Sequence, residues 1–259
     1  MASYAANIVF VFAWIVCSFM FWRGLRRFAV IEDRIFDLTF YATVIGFVVS
    51  RAGYVATHWT LFAGKSMLLV AALWISPGLS WLGLLLGGLI TLIYLSRRYK
   101  VRLGLVLDTV AFSLPLPIIL GEAASLLNGV EIGKITTLPW AIRFVGFTGM
   151  RHPVQLYEMV FLVLISTGML RITQLAARHK WAYGIIGVWF FFFYSFFMFV
   201  LEFLKDSPVY WGRLTANQWM LIGIFAECVG VIYVRGGGRE AIRRVRNNIY
   251  ESISKRHAR

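Results

Sequence analysis

The sequence predicts an all-α, polytopic transmembrane helical bundle of about seven spans, and three observations lead there. Of 259 residues, 59% are hydrophobic and only 15% charged, against roughly 45–50% apolar in an average soluble domain; the mean hydropathy is +0.73. Long apolar runs alternate with short basic clusters, the pattern of hydrocarbon-spanning helices joined by wet loops. The basic clusters are also unevenly shared between alternate loops.

The first run, residues 5–22, carries its positive charges after the apolar stretch, the reverse of a cleaved signal peptide. The second, 40–57, holds Arg51 within it. The third, 81–95, is the weakest, because the apolar stretch 67–75 precedes it across the breaker Ser76-Pro77-Gly78; that stretch fits a re-entrant or interfacial piece. The fourth, 105–127, contains Pro115 and Pro117, which kink or break it. The fifth, 154–170, follows Arg151-His152-Pro153. The sixth, 183–204, is rich in Phe, and the seventh, 219–234, ends before Gly236-Gly237-Gly238. Residues 1–234 thus form a transmembrane domain and 235–259 a basic tail. In that tail Ile242, Val245, Ile249 and Ile253 recur at helical spacing, which suits either a helix on anionic lipid or a solvated tail.

With the N-terminus outside, nineteen cations lie on the cytoplasmic side and six outside, while Arg51 lies within a span. The positive-inside rule therefore predicts N-out, C-in. The same asymmetry accounts for the net charge of +14 without a nucleic-acid partner, for which no polar domain offers a basic face. Cys17 and Cys228 sit alone in apolar runs and form neither a disulfide framework nor a zinc motif.

That orientation places polar residues from several helices at one depth, near the outer leaflet. Tyr4 opens the first span, Arg51 and Tyr54 lie towards the outer end of the second, and Glu122 and Asn128 towards the outer end of the fourth. His152, Gln155, Tyr157 and Glu158 open the fifth, Glu202 closes the sixth and Gln218 opens the seventh. Ionisable groups inside a membrane are expensive and mark sites. For Arg51 and Glu202, a structural ion pair competes with a substrate role. Asp108, near the inner end of its span, reads as an interface or capping residue. Glu227 is unassigned, and His179 and His257 are read as chemically idle.

These residues carry a resemblance to the bacterial prolipoprotein diacylglyceryl transferases. Arg151-His152-Pro153-Val154-Gln155-Leu156-Tyr157-Glu158 is similar to the family's RHPxQLYE string. Ser50 to Tyr54 resembles GRxGY, Gly87-Gly88 the end of HGG, and Gly121 with Asn128-Gly129 the ends of GRxGNxxNG. Leu138-Pro139-Trp140 resembles PWG, Glu202 the Glu of RxxxExxR, and Gln218 the Gln of GQxLS. The resemblance implies a reaction in the outer leaflet of the bacterial cytoplasmic (inner) membrane. There the diacylglyceryl group of phosphatidylglycerol passes to the lipobox cysteine of a preprolipoprotein, and glycerol phosphate leaves. It offers Arg51, His152 and Glu202 as catalytic candidates. Tyr4, Tyr54, Glu122, Asn128, Gly129, Arg151, Gln155, Tyr157, Glu158 and Gln218 are its candidates for substrate binding. No cofactor or metal is assigned; the partners are phosphatidylglycerol or another lipid and lipobox-bearing precursors.

The departures fall on charge. Glu122 stands where the family has Arg, Ser125 where it has Asn, Leu86 where it has His, and Met198 and Lys205 where RxxxExxR has its arginines. Two readings follow. One is a diverged transferase in which Arg51 and Arg151 handle phosphate while His152 or a carboxylate takes the thiol proton. The other is a homologue without the chemistry that binds lipid or precursor, or serves as a membrane partner. A transporter fits less well, since no paired inverted repeat is visible.

Overall fold

The computed structural model describes residues 2–66, 70, 71, 73, 75, 78–129, 131–209 and 211–235. The expected tail helix after Gly236 and most of the 67–75 stretch fall outside these residues. The helices are α1 (Ala2–Arg26), α2 (Glu32–Thr57), α3 (Trp59–Phe62), α4 (Trp81–Arg98), α5 (Leu103–Ser113), α6 (Pro115–Asn128), α7 (Val154–Arg178), α8 (Ile185–Glu202) and α9 (Ala216–Arg235). Among the described residues, β pairing is limited to isolated bridges in the loops. With α5 and α6 counted as one span, seven segments are long and apolar enough to cross a membrane. The protein is a multi-pass membrane protein.

The second and fifth spans run well beyond their expected ends, and the fourth breaks at its prolines as expected. The second starts at Glu32, eight residues before position 40, because its first turn carries Glu32 and Asp33, charges that favour a helix N-terminus but lower the local hydropathy. Asp37 and Arg34 then tie this turn to the end of α4: Tyr99 donates to Asp37 Oδ2 at 2.7 Å, and Arg34 donates to the Tyr99 carbonyl at 3.0 Å. The fifth span continues past 170 to Arg178, where Arg171 and Gln174 dilute the apolar signal. The fourth is divided at Leu114, with Pro115 as the first residue of α6. Proline lacks the N–H that would continue the ladder.

Close approach of backbones joins α2 to α4. A Cβ on Gly83 would lie 2.9 Å from Ser50 Cα, and one on Gly87 would lie 2.7 Å from Val49 Cβ. Such small-residue seams let transmembrane helices gain van der Waals contact where no hydrophobic driving force exists between them. Around this pair, α1 lies against α5 and α6, α7 against α6 and α8, and α8 against α5 and α9. Phe190, Leu162, Met169, Val106 and Leu221 are wholly buried between the helices. The outward face of α1 exposes Ile8, Val11, Phe12 and Ile15, as a lipid-facing surface does.

Asp108 resolves as a cap. Its Oδ2 accepts from Gly184 N at 2.7 Å and its Oδ1 from Gly187 N at 2.8 Å, satisfying orphan donors at the start of α8. Gly187 allows this approach, since a Cβ there would meet the Leu107 carbonyl at 2.7 Å. Asp108→Ala removes both acceptors and should lower the unfolding free energy in detergent by about 1–2 kcal/mol, with Asp108→Asn losing less. Denaturant titrations followed by tryptophan fluorescence would show it, and identical midpoints for all three proteins would contradict the capping role.

Candidate functional site

Polar side chains gather at one end of the bundle, where α6 and α8 end and α7 and α9 begin. Their centre is Lys205, just past α8. Its Nζ contacts Glu131 of the α6–α7 loop, lies 2.8 Å from Glu158 of α7 and 3.6 Å from Glu202 of α8. Burial works against this ammonium, but Glu158, Glu131 and Glu202 outweigh it and hold its pKa well above that of an ordinary lysine. One carboxylate oxygen from each of Glu122, Glu131 and Glu158 lies within 4.8 Å of the other two.

The surroundings hold this cluster in place. Glu202 Oε1 accepts from Thr215 Oγ1 and Asn217 Nδ2, both at 3.0 Å. Gln155, wholly buried, donates from Nε2 to the Glu131 carbonyl at 2.6 Å and so fixes the loop that carries the carboxylate. The same loop is stitched to the chain after α8: Lys134 N donates to Leu204 O and Asp206 N to Ile132 O, both at 2.8 Å. Arg151 reinforces this join with bonds of 3.0 Å to Gly133 O and to Asp206 Oδ2. Trp81 of α4 donates to the buried Tyr194 hydroxyl at 2.8 Å, linking the α2–α4 pair to α8.

The sequence candidates divide into those that meet the cluster and those occupied elsewhere. Glu122, Glu158, Glu202 and Gln155 meet it. Arg51, buried, donates to Val70 O at 2.6 Å and Gly78 O at 2.9 Å, and its guanidinium lies 5.8 Å from the Tyr54 ring centroid and 5.2 Å from that of Phe62. It thereby ties the stretch between α3 and α4 to α2. Arg151 supports the loop. His152 and Tyr157 form a pair, with Nδ1 3.3 Å from the tyrosine oxygen, which also accepts from Trp140 at 2.7 Å. Gln218 works at the start of α9: its Oε1 accepts from Thr215 N at 2.9 Å while its own N donates to Thr215 Oγ1 at 3.2 Å, a reciprocal capping box. Asn128 ends α6, and Gly129 follows at φ 60° as its left-handed cap. Tyr4 lies in α1 with its side chain outside the described ones.

The sequence reading missed Glu131, Thr215, Asn217 and Tyr194. Glu131 sits in a loop after a helix cap, where no periodicity announces it. Tyr194 was signalled by spacing, since Tyr194, Met198 and Glu202 recur every four residues and all are buried on one face of α8.

Residues 2–234 match the family model described as prolipoprotein diacylglyceryl transferase. The chain belongs to the prolipoprotein diacylglyceryl transferase family. Among similar proteins of this family is the phosphatidylglycerol-prolipoprotein diacylglyceryl transferase of Wolbachia sp. subsp. Brugia malayi, 31% identical over 78% of this chain and 80% of the relative. The proteins of that name from Geobacter sulfurreducens and Bordetella avium are 29% and 28% identical, covering 84% of this chain and 87% and 83% of their own lengths.

The polar end of this chain gathers the carboxylates of Glu131, Glu158 and Glu202 on one lysine. Met198 is buried in the apolar core, and Glu122 faces two further carboxylates. Lys205 is thus the cation on which the acidic residues depend. A raised lysine pKa stabilises the fold fully below the unfolded value of about 10.4 and is lost only as pH rises through the folded one. An amine-reactive ester at pH 9 should therefore label exposed Lys134 more than Lys205, whose ammonium is held charged among three carboxylates. Peptide mass spectrometry gives the ratio, and equal labelling would show that the network does not hold the ammonium.

Proposed function

We propose that this chain transfers the diacylglyceryl group of phosphatidylglycerol to the cysteine thiol of a prolipoprotein. The observation that carries the reading is the family match over residues 2–234, whose strongest string, Arg151 to Glu158, supplies Glu158 and Gln155 to the buried cluster. Lipid binding without chemistry, the alternative reading, finds no support in these relatives, each of which is named as a transferase.

In the proposed reaction the cysteine sulfur attacks the glycerol carbon next to the phosphate. A C–S bond forms, the C–O bond breaks, and glycerol phosphate departs with the electron pair. The thiol proton passes to a carboxylate of the cluster or to His152, whose partner Tyr157 fixes the ring. Arg51 and Arg151 are the guanidinium candidates for the phosphate, which such groups grip bidentately. Glu202 acts on the cluster through Lys205. Tyr54 and Tyr157 are the aromatic candidates for the lipid headgroup, with Tyr4, Asn128 and Gly129 as further candidates, while Gln218 serves the site by capping α9. The polar end faces away from the cytoplasm, because the opposite loops carry nineteen of the cations and are retained inside. In a bacterium this places the site in the outer leaflet of the inner membrane, with the basic tail 235–259 in the cytoplasm.

Two experiments test the reading. Full-length protein in phosphatidylglycerol liposomes should move a labelled diacylglyceryl group onto a lipobox peptide, releasing glycerol phosphate, and a Cys→Ser peptide should accept none. Lys205→Met should lower the rate about 10²- to 10³-fold, the usual loss for a missing preorganised contact; no transfer by the wild type would reject the enzyme. For orientation, Lys134→Cys in a background without Cys17 and Cys228 should react with an impermeant thiol reagent in intact cells, and Arg178→Cys should not. The opposite pattern would invert the proposed topology.

A further inference from the structure

Glu227 takes no part in the polar end or in the proposed reaction. It is the twelfth of the twenty residues of α9, about 16 Å along the helix at 1.5 Å per residue, and so near the middle of a hydrocarbon layer roughly 30 Å thick. It is exposed, and among the described residues no hydrogen bond or ion pair engages its carboxyl group. Ionisable groups at this depth are expensive and almost always face the bundle interior, a water-filled cavity or a partner. Glu227 faces away from the bundle.

The surface around it is shaped for another helix. α9 turns Gln218, Leu221, Ile224 and Cys228 inward and packs on α8. Two residues past the last three of these, about 200° round the helix, come Gly223, Ala226 and Gly230, all outside the buried set. A Cβ on Gly223 or Gly230 would meet nothing within 4 Å, so no helix of this bundle occupies the space they leave. Gly83 and Gly87 of α4, by contrast, are already filled by α2. Ala226 and Gly230 stand four apart, the small-residue spacing that lets two membrane-spanning backbones approach closely.

The carboxyl group selects the occupant. Two copies of one chain share one topology, so their α9 helices run parallel and carry Glu227 at the same depth. A two-fold axis along the membrane normal then sets each residue of this face against itself, glycine against glycine and carboxyl against carboxyl. A carboxylic acid holds one donor together with acceptor capacity, so two of them satisfy each other with no further group, whereas a foreign helix has to bring a matched donor to this depth.

We propose that the face of α9 bearing Gly223, Ala226, Glu227 and Gly230 is a docking surface for a second copy of this chain, closed by reciprocal hydrogen bonds between the two Glu227 side chains. The dimer does not depend on the transferase reading. It backs the helix that follows Thr215 and carries Asn217, the two residues that hold Glu202.

Association is measured on the full-length protein, fluorescently labelled on a C-terminal tag, in liposomes of phosphatidylcholine and phosphatidylglycerol. Single-molecule photobleaching counts the copies per complex as the protein-to-lipid ratio is raised. Two-step complexes that increase with protein density are expected for the wild type. Glu227→Leu removes the hydrogen bonds and should lower the association constant about 5- to 30-fold, the range that one hydrogen bond between membrane helices is worth. Glu227→Gln, whose amide both donates and accepts, should keep most of the association.

A second measurement reads the face itself. In a background without Cys17 and Cys228, Gly223→Cys and Gly230→Cys should form intermolecular disulfides in membranes treated with copper-phenanthroline. Ile222→Cys and Val229→Cys, each about 100° away round the helix, should not. Single-step complexes at every density would overturn the proposal and leave lipid or a helix of another protein as the cover of this face. Dimers that ignore Glu227→Leu, or disulfides at 222 and 229 in place of 223 and 230, would overturn it as well.

Discussion

The Lys205 ammonium meets carboxylates from the α6–α7 loop, from α7 and from α8, and the arrangement of the polar end follows from that meeting. Removing one partner of a buried ion pair commonly costs 3–5 kcal/mol, because the charge left behind cannot return to water. Here a single lysine serves two such buried partners, Glu158 and Glu202, and the half-exposed Glu131. The loop bonds from Lys134 to Leu204 and from Asp206 to Ile132 bring the lysine to the carboxylates, and the Thr215–Gln218 capping box brings Thr215 and Asn217 to the far side of Glu202. Secondary structure at this end serves electrostatics.

The two arginines of the candidate set illustrate how a charged residue in a membrane protein divides its duties. Arg51 spends its donors on the carbonyls of Val70 and Gly78, main-chain groups that would otherwise need water in a dry setting. Arg151 does the same for Gly133 and adds Asp206. Each therefore shapes the wall of the site whether or not it also touches phosphate. The α2–α4 pair, closed by glycines and joined to α8 through Trp81 and Tyr194, positions Arg51 relative to the cluster.

Hydropathy made the bundle legible, because spans must be long and apolar and loops must not. It failed where charge sits inside a helix, as at Glu32 and Asp33, and where an interfacial helix outlasts the hydrocarbon, as at Arg171 to Arg178. The polar layer was legible through helix depth, which placed Glu122, Glu158 and Glu202 at one level. Depth says nothing of azimuth or of loops. Arg51 at the same level has turned to the α3–α4 stretch, Gln218 has turned to its own helix cap, and Glu131 was invisible until the loop folded back. Lys205 was legible as the cation at the last position of RxxxExxR, but not as the centre of the cluster, because the carboxylates it meets on the α6–α7 loop and α7 are distant in sequence.

The order in which the chain is made gives the lysine network a further meaning. Glu122, Glu131 and Glu158 leave the ribosome before Lys205, with 83 residues separating the first from the last. At roughly 5–20 residues per second, Glu122 of α6 waits on the order of 4–17 s, and Glu158 of α7 about half as long, for the ammonium at the centre of the cluster. Throughout that interval these helix ends must stay at the wet surface of the bilayer, and the polar end can settle only after α8 has passed. Assembly of the site is thus timed by a residue near the end of synthesis, while the glycine seam of α2 and α4 is complete long before.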